Sequence, residues 1–133
     1  MTDAKIEAYG NDFSQAFENA GHAVESLMVD IGSVRKVESK EIELGANDLS
    51  SLLYQWIESL ISLQDSEGLL FSEFKCEVSK TSTGSFILLA KLSGEKFDPE
   101  RHEQKTAIKA PTFHQMKISE DENRVTMTFV VDL

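Results

Sequence analysis

Residues Asn47 to Val78 read NDLSSLLYQWIESLISLQDSEGLLFSEFKCEV. In the first half, Leu49, Leu52, Leu53, Trp56, Ile57, Leu60, Ile61 and Leu63 follow the i, i+3, i+4, i+7 spacing of an amphipathic helix, with Asn47 or Asp48 placed to cap it. The run Asp65-Ser66-Glu67-Gly68 ends that period, and Phe71 to Val78 then reads as a strand. One helix passing directly into a strand rules out an all-α or all-β fold and directs attention to what flanks it.

Upstream, Ala4, Ile6 and Ala8 alternate with Lys5, Glu7 and Tyr9 in the period-two pattern of a half-buried strand that stops at Gly10-Asn11. Asp12 can cap a helix with Gln15 three residues on, and Phe13, Phe17, Ala20, Val24, Leu27, Met28 and Ile31 form its stripe before Gly32. Val37 to Leu44, VESKEIEL, is charged and weakly alternating, which fits an edge or half-exposed strand better than a central one.

Downstream, Ser85 to Leu92 follows Phe71 to Val78 through the loop Lys80 to Gly84, a long hairpin. Its core, Phe86-Ile87-Leu88-Leu89-Ala90, is apolar at both phases and predicts a central strand covered on both faces. The polar loop GEKFDPERHEQKT leads to strands over Ala107 to Ile118 and Val125 to Val131, separated by an acidic turn, Ser119 to Asn123. Helices early and antiparallel strands late predict an α+β fold: two amphipathic helices packed on a mostly antiparallel β-sheet, in a single domain over residues 1–133.

The chain's 133 residues are enough to bury about two-thirds of the unfolded surface in one core. Its 23 acids against 13 bases give a net charge of −10, which opposes direct high-affinity binding to nucleic acid or to an anionic membrane and favours a cationic partner protein or a metal ion. The single cysteine, Cys76, has no partner for an internal disulfide and falls at the inward phase of its strand, as a structural thiol. MTDAKIEAYG lacks an apolar signal core and FILLA is too short to span a bilayer, so a cytoplasmic location is expected.

The three histidines form no zinc or triad pattern. His22 has no i+4 partner and reads as a surface or structural residue. His114 shares its phase with Ile108, Ala110, Met116 and Ile118 and reads as a core histidine. His102 lies in Pro99-Glu100-Arg101-His102-Glu103, where polar side chains are expected to be free, which makes Arg101, His102 and Glu103 candidate partner contacts. No Walker loop, GxGxxG or GxSxG is present, so neither an autonomous NTPase nor a serine hydrolase is indicated. A metal-dependent phosphohydrolase would have to use His102 or His114 as its base.

The carboxylates offer a different chemistry. Asp3 stands at the start of the first strand, and Asp132 at the end of the last, in the opposite phase from Val125, Met127, Phe129 and Val131. If those strands are neighbours, Asp3, Asp132 and the Leu133 α-carboxylate converge into an all-oxygen set suited to Ca²⁺ or Mg²⁺; if they are not, both aspartates are solvated strand ends.

The blocks DAKIEAYG, DFSQAFENA with MVDIGSV, NDLSSLLYQWIESLI with DSEGLLFSEF, GEKFDPERHEQKTAIKAPTFHQM and VVDL, in this order, resemble the archease family over essentially the whole chain. The resemblance implies a small acidic α+β protein that is not itself an enzyme. It also implies an accessory role with an RtcB-type RNA ligase in tRNA splicing, promoting ligase guanylylation and repeated turnover and broadening its use of nucleoside triphosphates. It further implies a metal site of Asp3, Asp132 and Leu133, holding Ca²⁺ foremost, with Mg²⁺ and Mn²⁺ as alternatives. The competing expectation is a general chaperone or modulator of nucleic-acid-processing proteins with a structural metal. Family members begin several residues earlier, whereas only Met1 and Thr2 precede Asp3, so a shortened first strand is expected. Pro111 replaces the aliphatic residue usual in its block, and its missing N–H predicts an edge position or a bulge.

Overall fold

The computed structural model describes residues 2–133. In chain order its elements are β1 (Asp3–Gly10), α1 (Phe13–Met28), a short 3-10 helix (Ile31–Ser33), β2 (Glu38–Ala46), α2 (Leu49–Glu67), β3 (Leu69–Lys80), β4 (Phe86–Lys96), β5 (Ala110–Glu120) and β6 (Val125–Asp132). Met1, which precedes Thr2 in the sequence, lies outside the described residues.

Asp48 caps α2 by accepting the Ser51 N–H at 2.7 Å. The helix stops at Gly68, whose φ of 66° is the left-handed conformation open to glycine and whose N–H returns to the Gln64 carbonyl. Its stripe from Leu52 to Ile61 is buried, and the Trp56 indole N–H donates to the Phe17 carbonyl at 2.8 Å. The two helices cross closely at Gly21, where a Cβ would lie 2.8 Å from the Trp56 ring.

Asp12 caps α1 through the Gln15 N–H, while Gln15 Oε1 accepts from Asn11 N–H, a capping box displaced by one residue. The helix is shorter than its apolar stripe predicts. It ends at Met28 because Val29 is extended and bridges to Gln104, and Asp30 then caps the 3-10 helix that contains Ile31.

The strands divide into two three-stranded antiparallel sheets, ordered β1-β6-β5 and β2-β4-β3. Each helix runs along one edge strand of each sheet: α1 packs on β1 and β3, and α2 on β2 and β5. The main core of Phe17, Trp56, Phe71, Leu88, Met127 and Phe129 lies among these four walls. Along β3, α1 covers the free edge with polar side chains. Ser14 accepts the Val78 N–H, Glu18 the Cys76 N–H and Glu25 the Phe71 N–H, as a further strand's carbonyls would. Burial, and then the nearby Glu18 charge, push the Cys76 thiol up to about 12, which suits a structural cysteine and not a reactive one.

β2 is an edge strand and β4 is central, as expected. The expectation that β4 is covered on both faces is corrected. Leu88, Ala90 and Leu92 are buried, but Leu89 is 45% exposed, because only one face of this antiparallel sheet meets the core. Pro111 pairs with Val131 on the edge strand β5, immediately before a bulge between Thr112 and Lys117, so both conditions for a strand proline are met.

Candidate metal centre

β1 pairs with β6 along its whole length, and the register sets Asp3 directly opposite Asp132. Residues directly opposite in an antiparallel pair project to the same face with Cβ atoms about 5 Å apart. Both aspartates are exposed, on the face away from Ile6, Ala8, Met127 and Phe129. The condition for convergence is therefore met, and the first strand is regular from Asp3 onward.

The backbone around the pair is held. The Leu133 N–H donates to the Thr2 carbonyl at 2.9 Å, and the Lys109 N–H donates to the Asp132 carbonyl at 2.8 Å. On the far side of β6, Ala110 completes the row. This tie keeps Leu133 beside the pair while leaving the carboxylate oxygens of Asp3 and Asp132 without hydrogen-bond donors among the described residues. Two like charges directly opposed repel each other, and a cation between them removes that repulsion. Among the described residues no three His, Cys, Asp or Glu side chains converge as metal ligands. Beyond Asp3 and Asp132, no further side chain of those types joins the pair among the described residues. Such an all-oxygen set fits a hard divalent cation.

The second group of sequence candidates is arranged differently from expectation. Arg101 and His102 are not free loop side chains. The His102 ring is buried: Nδ1 accepts the Asp98 N–H at 2.8 Å, so the ring proton sits on Nε2, which donates to Glu95 Oε2 at 3.1 Å. The Arg101 guanidinium bonds Glu95 Oε1 and reaches the Ser33 carbonyl. Both residues thus order the loop by closing on one carboxylate. Glu103 alone of the three is exposed. With both ring nitrogens engaged, His102 has no lone pair to serve as a general base.

Glu95 also accepts the Arg35 N–H, at 2.6 Å, and this bond, followed by those from Arg101 and His102, holds its carboxyl down to about 2 against the opposing effect of burial. Sequence reasoning placed Glu95 among solvated loop residues. The available signal was Gly94 beside it, where a Cβ would meet the Leu70 carbonyl at 1.8 Å and no other residue fits. Glu25 was also missed. It is fully buried on α1, and burial pushes its carboxyl up to about 8, with the Phe71 N–H bond opposing. Its phase, four residues after the buried Gly21, marks it as inward.

The reading of His114 as a core histidine is corrected as well. It is exposed, because the β5 bulge breaks the alternation that connects it to Ile108 and Ile118. His22 is exposed, with its ring edge-on to Phe74. No helix of the described residues is long and apolar enough to cross a membrane.

The profile of the Archease protein family matches residues 1–133. The chain is 44% identical over 131 residues to the protein archease of Sulfurisphaera tokodaii, covering 98% of this chain and 92% of that protein. It is 43% identical over 116 residues to the protein archease of Pyrococcus abyssi, covering 87% and 81%. Among solved structures, it resembles the solution structure of Methanobacterium thermoautotrophicum protein 1598 with a TM-score of 0.87 and 34% identity, over 100% of this chain and 94% of that one. It also shares a fold with a Thermotoga maritima archease described as a possible chaperone, with a TM-score of 0.65 and 19% identity, over 99% and 91%.

Proposed function

The chain belongs to the archease family, and from that membership we propose that it is a cytoplasmic accessory protein of an RtcB-type RNA ligase in tRNA splicing and not itself an enzyme. In this role it promotes guanylylation of the ligase, sustains its turnover and widens its choice of nucleoside triphosphate. The observation that supports this reading is the register that sets Asp3 against Asp132, with Leu133 tied beside them. Asp3, Asp132 and the Leu133 α-carboxylate would hold a divalent cation, Ca²⁺ foremost, with Mg²⁺ or Mn²⁺ as alternatives. When bound, the cation supplies positive charge where a triphosphate has to be oriented.

The chain's own residues supply rigidity. Full pairing of β1 and β6 fixes the two aspartates, and the buried His102 and Glu95, with the half-buried Arg101, hold the loop after β4. Glu103, exposed on that loop, is the remaining contact candidate from that segment. The net charge of −10 suits a cationic partner and sets the protein against direct tight binding to RNA.

The test is multiple-turnover ligation with substoichiometric ligase, with and without this protein, together with direct measurement of ligase guanylylation. Wild type accelerates both steps. Asp132→Ala, whose side chain is exposed, folds normally, loses Ca²⁺ binding in calorimetry and loses the acceleration. Equal turnover with the variant and the wild type would remove Asp132 from the mechanism. The second reading, a general chaperone, draws on the description of the Thermotoga maritima relative. It requires suppression of aggregation of unrelated client proteins, which specific activation of a ligase does not.

A further inference from the structure

The register of the β1-β6-β5 sheet orders its outer face into rows. Asp3, Asp132 and Ala110 form the first, and Lys5, Val130 and Thr112 the second. Along β1 the exposed Asp3, Lys5 and Glu7 alternate with Ala4, Ile6 and Ala8, which pack toward the core, so Lys5 projects from the same face as the carboxylate pair. It stands about 7 Å from Asp3 along the strand and at a similar distance from Asp132 on the diagonal.

Lys5 is the one charged residue of the second row, and it enters no ion pair among the described residues. Directly opposite it, Val130 is 5% exposed although it points to the outer face and joins neither core cluster. The aliphatic stem of a lysine can lie along such a residue and leave its ammonium at the surface. The next charges on this face stand one row farther on, where Glu7 and Lys117 flank Thr128 and offset each other. Arg124 is engaged elsewhere, over the Tyr9 ring.

A fixed positive charge beside two exposed carboxylates acts in two ways. While the pair is empty, it relieves the repulsion between Asp3 and Asp132. Once a divalent cation is bound, it repels that ion with twice the force it would exert on a monovalent one. Both effects favour the unloaded pair. The backbone does not depend on the ion for its shape, because the β1–β6 pairing and the bond from the Leu133 N–H to the Thr2 carbonyl already hold it.

We propose that Lys5 is the affinity-setting residue of the Asp3–Asp132 site, weakening its hold on a hard divalent cation through its charge. The inference rests on the metal site proposed above.

Ca²⁺ is titrated by calorimetry into wild type, Lys5→Met, Lys5→Arg and Asp132→Ala chains without ligase, at low salt and at about 1 M salt. A melting curve confirms that each variant is folded. Lys5→Met keeps an apolar stem and removes the charge, and its Ca²⁺ affinity exceeds that of wild type about three- to tenfold at low salt, as Coulomb's law gives for a divalent ion at this distance in water. At about 1 M salt, where the screening length is about 3 Å, the gain falls below about twofold. Lys5→Arg matches wild type, and Asp132→Ala does not bind. A Lys5→Met affinity no higher than wild type overturns the inference and leaves the metal site standing. A gain that persists undiminished at high salt also overturns it, since charge is then not the cause. Absence of Ca²⁺ binding in both wild type and Lys5→Met overturns the metal site and the inference together. Tighter binding by Lys5→Met, with no effect of wild type on ligase guanylylation, leaves the inference standing and overturns the accessory role.

Discussion

Glu25 receives one hydrogen bond, from the Phe71 N–H at 3.3 Å, and its Oε1 has no partner among the described residues. Glu95, at the end of β4, receives three: the Arg35 N–H, the Arg101 guanidinium and the His102 Nε2–H. Both carboxylates are hidden from water, at 0% and 8% exposure. Their proton affinities nevertheless move in opposite directions, to about 8 for Glu25 and to about 2 for Glu95. Burial alone therefore does not decide the charge of a carboxylate in this protein; the number of donors aimed at it does. Glu25 behaves as a neutral core residue near neutral pH, whereas Glu95 is an anion around which a loop is built.

Removing the anion is the most severe way to test this contrast. Glu95→Ala leaves the Arg35 N–H, the Arg101 guanidinium and the buried His102 ring without an acceptor, and orphaned buried donors are costly. The thermal midpoint at pH 7 is expected to fall by roughly ten degrees or more. Limited proteolysis should also open the segment around Asp98 to Glu103. The linkage has a definite sign. The stabilisation from Glu95 is in place above the ordinary carboxylate value of 4.5 and is lost as pH falls toward about 2, so the variant lacks that acid limb. A midpoint within a degree of wild type would mean that the three donors find water instead.

Glu25 provides the converse test. Its folded-state value lies above the unfolded one, so the protonated form stabilises the fold below about 4.5, and that contribution is lost as pH rises through about 8. Between those limits wild type loses at most about 1.4 kcal/mol per pH unit from this group. Glu25→Gln keeps an acceptor for the Phe71 N–H and cannot ionise. Its stability relative to wild type should therefore grow steadily from pH 5 to pH 8 in denaturant titrations. A flat difference would show that Glu25 is already charged in the fold and that water or a side-chain movement supplies its missing partner.

What the sequence made legible depends on the distance over which each feature is determined. The α2 stripe, both helix caps and the exposed phase of Asp3 and Asp132 are local patterns, and each stands in the structure as read. The division of the strands into two sheets is set by which strands pair, a long-range choice that no periodicity records. The β5 bulge was half legible: Pro111 announced it, but a glutamine at positive φ carries none of the signal that a glycine would, and His114 was misplaced as a result. The two glutamates divide in the same way. Glu25 was detectable from its helical phase, whereas Glu95 depends on Arg35 and on the neighbouring Arg101 and His102, which the fold brings to it from two separate places in the chain.

The finest test of the contrast asks whether Glu95 needs the shape of its donors or only their charge. Arg101 is 29% exposed and gives Glu95 Oε1 one charged donor while its other amino group reaches the Ser33 carbonyl at 3.4 Å. Lysine preserves the charge but offers a single ammonium in place of that planar fork. Because the pair is partly solvated, Arg101→Lys should cost only about 0.5 kcal/mol, a shift of about two degrees in the melting curve. Glu95 still receives the Arg35 N–H, which is the largest influence on its acidity, so the acid limb of the pH profile should scarcely move. If Arg101→Lys instead reproduced the loss seen in Glu95→Ala, the guanidinium and not the backbone donor would be what holds Glu95 charged, and the difference between the two glutamates would reduce to one side chain.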